Sequence, residues 1–199
     1  YDESLGDVVL GEIGADGIEY SVIDGVPDET PTHEPSTYRG GVEQPGPDIG
    51  AYTTVALVGG KVFAAYQDRE RKALRFARET GPGKYTVHDV DVPDGGERIG
   101  AFASMTARPG GGAAIAYLVT GVPAADGARA TELRLAVTGD PAPNGTGAWT
   151  ITTVASAPTS CAGLCGSGDK CAAPAADGDP EVCVTPATDC TPGCATDEV

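Results

Sequence analysis

Residues 49–93 read IGAYTTVALVGGKVFAAYQDRERKALRFARETGPGKYTVHDVDVP. The stretch divides into four short runs, Ala51–Leu57, Lys61–Tyr66, Ala73–Ala77 and Tyr85–Val92. Each is rich in β-branched or aromatic residues. The separators are turn material: Gly59-Gly60, the charged run Asp68–Lys72, and Gly81-Pro82-Gly83. Short runs of that composition bounded by breakers predict strands. In the second run Val62, Phe63, Ala64 and Ala65 are apolar in succession, which predicts burial on both faces. The fourth run alternates, as an edge strand does.

The unit recurs on both sides. Downstream, Ile99-Gly100-Ala101-Phe102 matches Ile49-Gly50-Ala51-Tyr52 at an offset of 50 residues. Ile115-Ala116-Tyr117 then matches Ala64-Ala65-Tyr66, Leu133-Arg134-Leu135-Ala136 matches Leu74-Arg75-Phe76-Ala77, and Trp149-Thr150-Ile151 matches Tyr85-Thr86-Val87. The insertions, Val119–Thr131 and Thr138–Gly147, fall between strands, where length is tolerated. Upstream, Asp2–Gly6 matches Asp68–Lys72, Val8 and Leu10 match Leu74 and Phe76, and Ile18–Asp24 matches Gly83–Asp89. The chain thus opens with the third and fourth strands of a module.

A four-stranded repeat of about 50 residues points to β-propeller blades. The expected architecture is all-β, with four-stranded antiparallel blades forming a partial propeller, followed by a disulfide-rich irregular tail. The divisions are 1–27 (partial blade), 28–48 (Pro-rich linker), 49–98 (complete blade), 99–158 (blade with loop insertions) and 159–199 (Cys-rich tail). Two full modules and part of a third fall short of the four to eight blades of a closed propeller, and open sheet edges invite pairing. The chain is therefore expected to belong to a larger protein or assembly, with missing blades or other chains completing it.

The module resembles the Tyr-Tyr-Asp type of blade found in large secreted proteins of myxobacteria and their relatives. The residues that carry the resemblance are Ile49–Ala56, Ala65-Tyr66-Gln67-Asp68, Leu74-Arg75-Phe76-Ala77 and Lys84-Tyr85-Thr86-Val87, with Tyr1-Asp2 as a further copy of the Tyr-Asp element. The third module departs from the pattern, with Leu118-Val119 in its place. The resemblance covers about 150 residues. It implies a fold and a secreted or surface setting, and no particular activity.

All six cysteines, Cys161, Cys165, Cys171, Cys183, Cys190 and Cys194, lie in the last 39 residues. Their filler of Ala, Gly and Pro has few core-forming residues, so disulfides are expected to hold it. Four cysteines allow three connectivities, and the one expected is Cys161–Cys171 with Cys165–Cys183. Cys190-x3-Cys194 repeats the spacing of Cys161-x3-Cys165, so the tail too reads as a segment of a longer series. Zinc is the rival, but there is no Cys-x2-Cys pair, and the two histidines, His33 and His88, lie far from the cysteines in sequence. Disulfides imply an oxidising compartment, extracellular or at the outer cell surface.

A net charge of −16, from 29 acidic against 13 basic residues, disfavours nucleic acid and anionic membrane surfaces as partners. No apolar run approaches the roughly 18 residues that span a bilayer. His88, beside Asp89 and Asp91, is the plausible general base, but its repeat equivalents Ile23 and Thr152 mark an outer-strand surface position. His33 sits in the linker between Thr32 and Glu34. No Gly-x-Ser-x-Gly elbow, phosphate loop or Ca²⁺ loop stands out, and no cofactor or metal is expected.

Tyr66 and Tyr117 recur once per blade and are candidate platforms for sugars, with packing between blades as the alternative. The function expected is therefore that of a bacterial, secreted or cell-surface structural or protein-binding module rather than an enzyme. Surface glycans are a further candidate partner. A propeller-type polysaccharide hydrolase or lyase, and a lectin-like carbohydrate-binding module, are the alternatives.

Overall fold

The structure is a computed structural model and describes residues 1–27, 39, 42, 44–123, 129–158, 170–172 and 182–184. Among these the chain is all-β, with antiparallel sheets. Module 1 is the hairpin β1 (Val8–Gly14) and β2 (Gly17–Asp24). Module 2 is a four-stranded meander of β3 (Ile49–Val58), β4 (Lys61–Asp68), β5 (Ala73–Gly81) and β6 (Lys84–Asp91). Module 3 repeats it with β7 (Arg98–Ala107), β8 (Ala113–Pro123), β9 (Arg129–Thr138) and β10 (Thr150–Pro158). A 3-10 turn at Thr146–Ala148 leads into β10. Among the described residues no helix is long and apolar enough to cross a membrane.

Local chemistry explains the meander. Gly59 and Gly60 both take positive φ, 58° and 77°, closing β3 onto β4 with Val58 opposite Lys61. Such two-residue turns match the twist of the flanking strands only with left-handed residues. In β4 every residue after Lys61 is buried, Val62 to Asp68. That is the two-sided burial its continuous apolar run predicts: alternate side chains go to opposite sheet faces, and each face meets a neighbouring module. Ala64 and Tyr66 join Val8, Ile23, Ile49 and Ala77 in the core between modules 1 and 2. Phe63, Ala65, Leu74, Phe76 and Val90 join Ile99, Ile115, Tyr117 and Trp149 in the core between modules 2 and 3.

The backbone register aligns the modules independently of sequence. Each third–fourth strand pair carries the same β-bulge. Val8 faces Asp24 and Val9 faces Val22, skipping Ile23. Leu74 faces Asp91 and Arg75 faces Asp89, skipping Val90. Leu133 faces Ala155 and Arg134 faces Thr153, skipping Val154. Asp24, Asp91 and Ala155 are therefore equivalent, and Asp24 does not correspond to Asp89. The match of Ile18–Asp24 to Gly83–Asp89 is out by two residues, because Tyr20 and Tyr85 share identity but not register. Ile18 is the counterpart of Tyr85 (opposite Ile13 and Glu79), and His88 corresponds to Ser21 (opposite Phe76 and Leu10).

Two features depart from the sequence expectation. Within the stretch expected as a polar linker, Arg39 and Val42 are buried. The Arg39 guanidinium pairs with the fully buried Asp7 and donates to the carbonyls of Val42 and Gln44. His88 is half-buried in the second joint rather than on an outer surface. In the tail, β11 (Lys170–Ala172) pairs with β12 (Val182–Val184), and the register sets Cys171 directly opposite Cys183. Cys161, Cys165, Cys190 and Cys194 lie outside the described residues.

Candidate ligand-binding site

The per-module tyrosines are structural. Tyr66 and Tyr117 are 0% and 1% exposed. Each projects from the second strand of its module into the joint with the module before. Tyr66 donates to Asp24 Oδ2 at 2.8 Å, and Tyr117 donates to Asp91 Oδ2 at 2.7 Å. An arginine on the neighbouring strand meets the same oxygen: Arg75 Nη1 at 2.7 Å from Asp24, and Arg134 Nη1 at 3.0 Å from Asp91. Burial, reinforced by the adjacent carboxylate, pushes both phenols above their ordinary range, so each remains a protonated donor. Burial also raises the Asp24 carboxyl, against the opposing pull of Arg75 and Tyr66. These positions offer no ring face to a ligand. They latch consecutive modules.

The aromatic surface lies one strand away. Tyr52 on β3 and Phe102 on β7 occupy equivalent positions and stay exposed, 38% and 67%. Both are non-glycine residues with positive φ, 54° and 53°. Each sits in a bulge, between Ala51 and Thr54 and between Ala101 and Ser104, where the strand leaves its ladder. Their rings face one another at 4.6 Å between centroids with 40° between planes. A left-handed L-residue costs about 1–2 kcal/mol. Two such residues at one repeat position, holding large apolar rings in solvent, are the kind of stored strain that accompanies a functional surface.

The preceding glycines make the bulge feasible. Gly50 (φ 118°) and Gly100 (φ 96°) lie where a Cβ would press on the module before: on Tyr1 and Val8 at 2.7 and 2.8 Å for Gly50, and on Leu74 at 3.2 Å for Gly100. The first strands are thereby drawn against each other, and Met105 N donates to Thr54 Oγ1 at 3.2 Å across the gap.

Polar groups lie on the Tyr52 side of the pair, where the Tyr52 phenol is close enough to act on the Arg69 charge. Tyr1 packs over Gly50 and its hydroxyl bonds to Asp48. Asp48 Oδ2 also pairs with Arg69 Nη1 at 3.4 Å. Burial and the Asp48 carboxylate push the Tyr1 phenol up to about 12. Burial works against the charge on Arg69, but Asp48 outweighs it, aided by the phenols of Tyr1 and Tyr52, and the net shift is upward. Flat apolar faces with an ionic pair at their margin suit ligands that stack and hydrogen-bond together.

His88 contributes no general base. Its ring lies against Phe76, and its Nε2 accepts a 3.1 Å hydrogen bond from Trp149 Nε1. Burial, with Arg78 and Arg75 nearby, lowers its basicity despite the opposing charge of Asp89. His33 lies outside the described residues. Among the described residues no group of three or more His, Cys, Asp and Glu side chains is arranged to hold a metal ion.

Sequence inspection overlooked Tyr52 and Phe102 as site residues, because aromatics in a strand ordinarily signal core. The available signal was that both directly follow Gly-Ala at the same repeat position. No family model, curated protein or solved structure matches this chain.

Proposed function

We propose that this chain is a secreted or surface-attached interaction protein. Its modules are blades of a partial β-propeller, and its cysteine-rich tail is a disulfide-stapled spacer or attachment segment in which Cys171–Cys183 is one rung. The observation that carries the interaction role is the Tyr52–Phe102 pair, two exposed rings maintained in strained backbone at one repeat position. The tail reading is supported by the opposed cysteines of β11 and β12, since Cα atoms so placed fall within the span a disulfide bridges.

The glycan-binding alternative is favoured by a specific observation, the Asp48–Arg69 pair and Tyr1 hydroxyl beside the rings. Sugars are bound by stacking their apolar faces on aromatics while hydrogen-bonding their hydroxyls.

A glycan array probed with the full chain tests this. Saturable binding lost in Tyr52→Gly and Phe102→Gly supports recognition at the pair. Binding that survives both substitutions removes the pair from the contact and overturns the assignment. Alkylation of the unreduced protein tests the compartment: six modified cysteines would overturn the oxidised tail.

A further inference from the structure

Two sheet faces are uncovered among the described residues, and they are complementary. Module 1 packs Val8, Leu10 and Ile23 against module 2. Its other face carries Val9, Gly11, Ile13, Ile18, Tyr20 and Val22, with Ile13 87%, Ile18 54% and Tyr20 55% exposed. Module 3 packs Ile115, Tyr117, Val119 and Ala136 against module 2. Its other face carries Ala116, Leu118, Leu133, Leu135 and the bulged Val154. Leu133 is 37% exposed where its counterparts Val8 and Leu74 are at most 1%, and Val154 is 59% exposed where Ile23 and Val90 are at most 9%.

The latch residues identify the occupant. At each internal joint the preceding module supplies a carboxylate (Asp24, then Asp91) and the following module a guanidinium (Arg75, then Arg134). On the outward face of module 1 the register puts Val9 in the guanidinium position. On the outward face of module 3 it puts Ala155 in the carboxylate position. Either charge alone, buried against the other face, would be unpaired and costly. Both are replaced, and the replacements suit each other.

The face of module 1 is also recessed. The face of module 1 holds an open cleft of about 310 Å³ lined by Tyr1, Asp2, Val9, Gly11 and Tyr20. Gly11 stands at the register position of Ala77 and Ala136, both fully buried in the internal joints.

We infer that module 3 of one copy packs on module 1 of a second copy, head to tail, with Val9 and Ala155 meeting where the internal joints place Arg and Asp. The joint so formed continues the stack of described modules from one copy into the next. The surface needed is apolar and contiguous, of the kind that marks an interface. The contact does not use the Tyr52 and Phe102 rings, although Tyr1 both lines the cleft and bonds to Asp48.

Sedimentation of the full chain over a concentration series tests the inference. The wild-type protein self-associates. Val9→Arg and Ala155→Asp place residues that the same fold already accommodates at equivalent positions, and each alone weakens association roughly 30-fold or more. The double variant V9R/A155D restores it. Tyr20→Arg and Leu133→Arg are each impaired alone, yet associate when mixed, because one intact pair of faces remains. A wild-type chain that stays monomeric to about 1 mM, the weakest affinity worth a contact, overturns the inference. So does association indifferent to the single substitutions, which puts the contact elsewhere, or a mixture of Y20R and L133R that remains monomeric.

Discussion

Tyr117 Oη and Arg134 Nη1 converge on the same carboxylate oxygen of Asp91, at 2.7 and 3.0 Å, from a module that begins after Asp91 in sequence. Tyr66 and Arg75 treat Asp24 in the same way one module earlier. The joint is thus held by a neutral donor and a charged donor sharing one acceptor.

Removing the neutral donor is the milder lesion. Tyr117→Phe is expected to cost about 1.5–3 kcal/mol, the range for a hydrogen bond to a charged group. Asp91→Ala strands the Tyr117 hydroxyl and leaves Arg134 with Glu132 alone, and is expected to cost more than Tyr117→Phe. Urea denaturation of both variants checks the order; an Asp91→Ala protein as stable as wild type would remove the latch from the account of stability.

The strained aromatics should behave oppositely. Glycine adopts positive φ without the Cβ penalty, so Tyr52→Gly and Phe102→Gly are each expected to raise stability by up to about 1 kcal/mol while removing the ring from the surface. Thermal unfolding beside binding measurements reads both effects. A fall of stability in both variants would show that the rings serve packing instead.

His88 sets an acid limit. Burial keeps its folded pKa below the ordinary 6.5, so the unfolded chain takes up the proton first. The stabilisation is complete above about pH 6.5 and is lost progressively as pH falls from there toward the lower folded value. Protonation also occupies Nε2, the acceptor of the Trp149 indole. The slope of unfolding free energy against pH in this window should flatten in His88→Gln; an unchanged slope would assign it to other groups.

Arg39 is expected to be the most sensitive position in the segment that joins the first module to the second. Arg39→Ala leaves Asp7, 0% exposed, as an unpaired buried charge, at a cost of about 3–5 kcal/mol. Replacing both members, Arg39→Met with Asp7→Leu, is expected to recover most of that loss. Denaturant midpoints of the single and double variants compare the two; a double variant no better than Arg39→Ala would mean that the carbonyl contacts to Val42 and Gln44 dominate.

The strands of modules 2 and 3 were legible because strand chemistry is local: β-branched runs, glycine turns, and two-sided burial from the unbroken apolar run at Val62–Ala65. The repeat was legible in its second and third strands, where Tyr66 and Tyr117 align by identity. The fourth strand of module 1 misaligned because the β5–β6 pair carries a second irregularity, between Glu79 and Gly81, that β1–β2 lacks and that leaves no composition signal, and the chance identity of Tyr20 and Tyr85 favoured the wrong register. Arg39 was illegible for another reason. A guanidinium in a Pro-rich segment looks solvated unless its partner is known, and Asp7 lies 32 residues away. Tyr52 and Phe102 were visible as residues, but their left-handed backbone was not, since φ is decided by the bulge and by Gly50 and Gly100 beside them.

The latches also set the order in which the chain can be taken apart. Each joins only adjacent modules, and the sequence separations across them are 42 and 26 residues. Stability in such a stack is a sum of unit and nearest-neighbour terms. Among the described residues module 2 alone is clasped on both sides, through Tyr66 on one and Asp91 on the other. Its amides in β4 and β5 should therefore exchange with deuterium most slowly, with protection declining outward toward β2 and β10. A refolding chain would start from that middle sheet and recruit its neighbours in both directions.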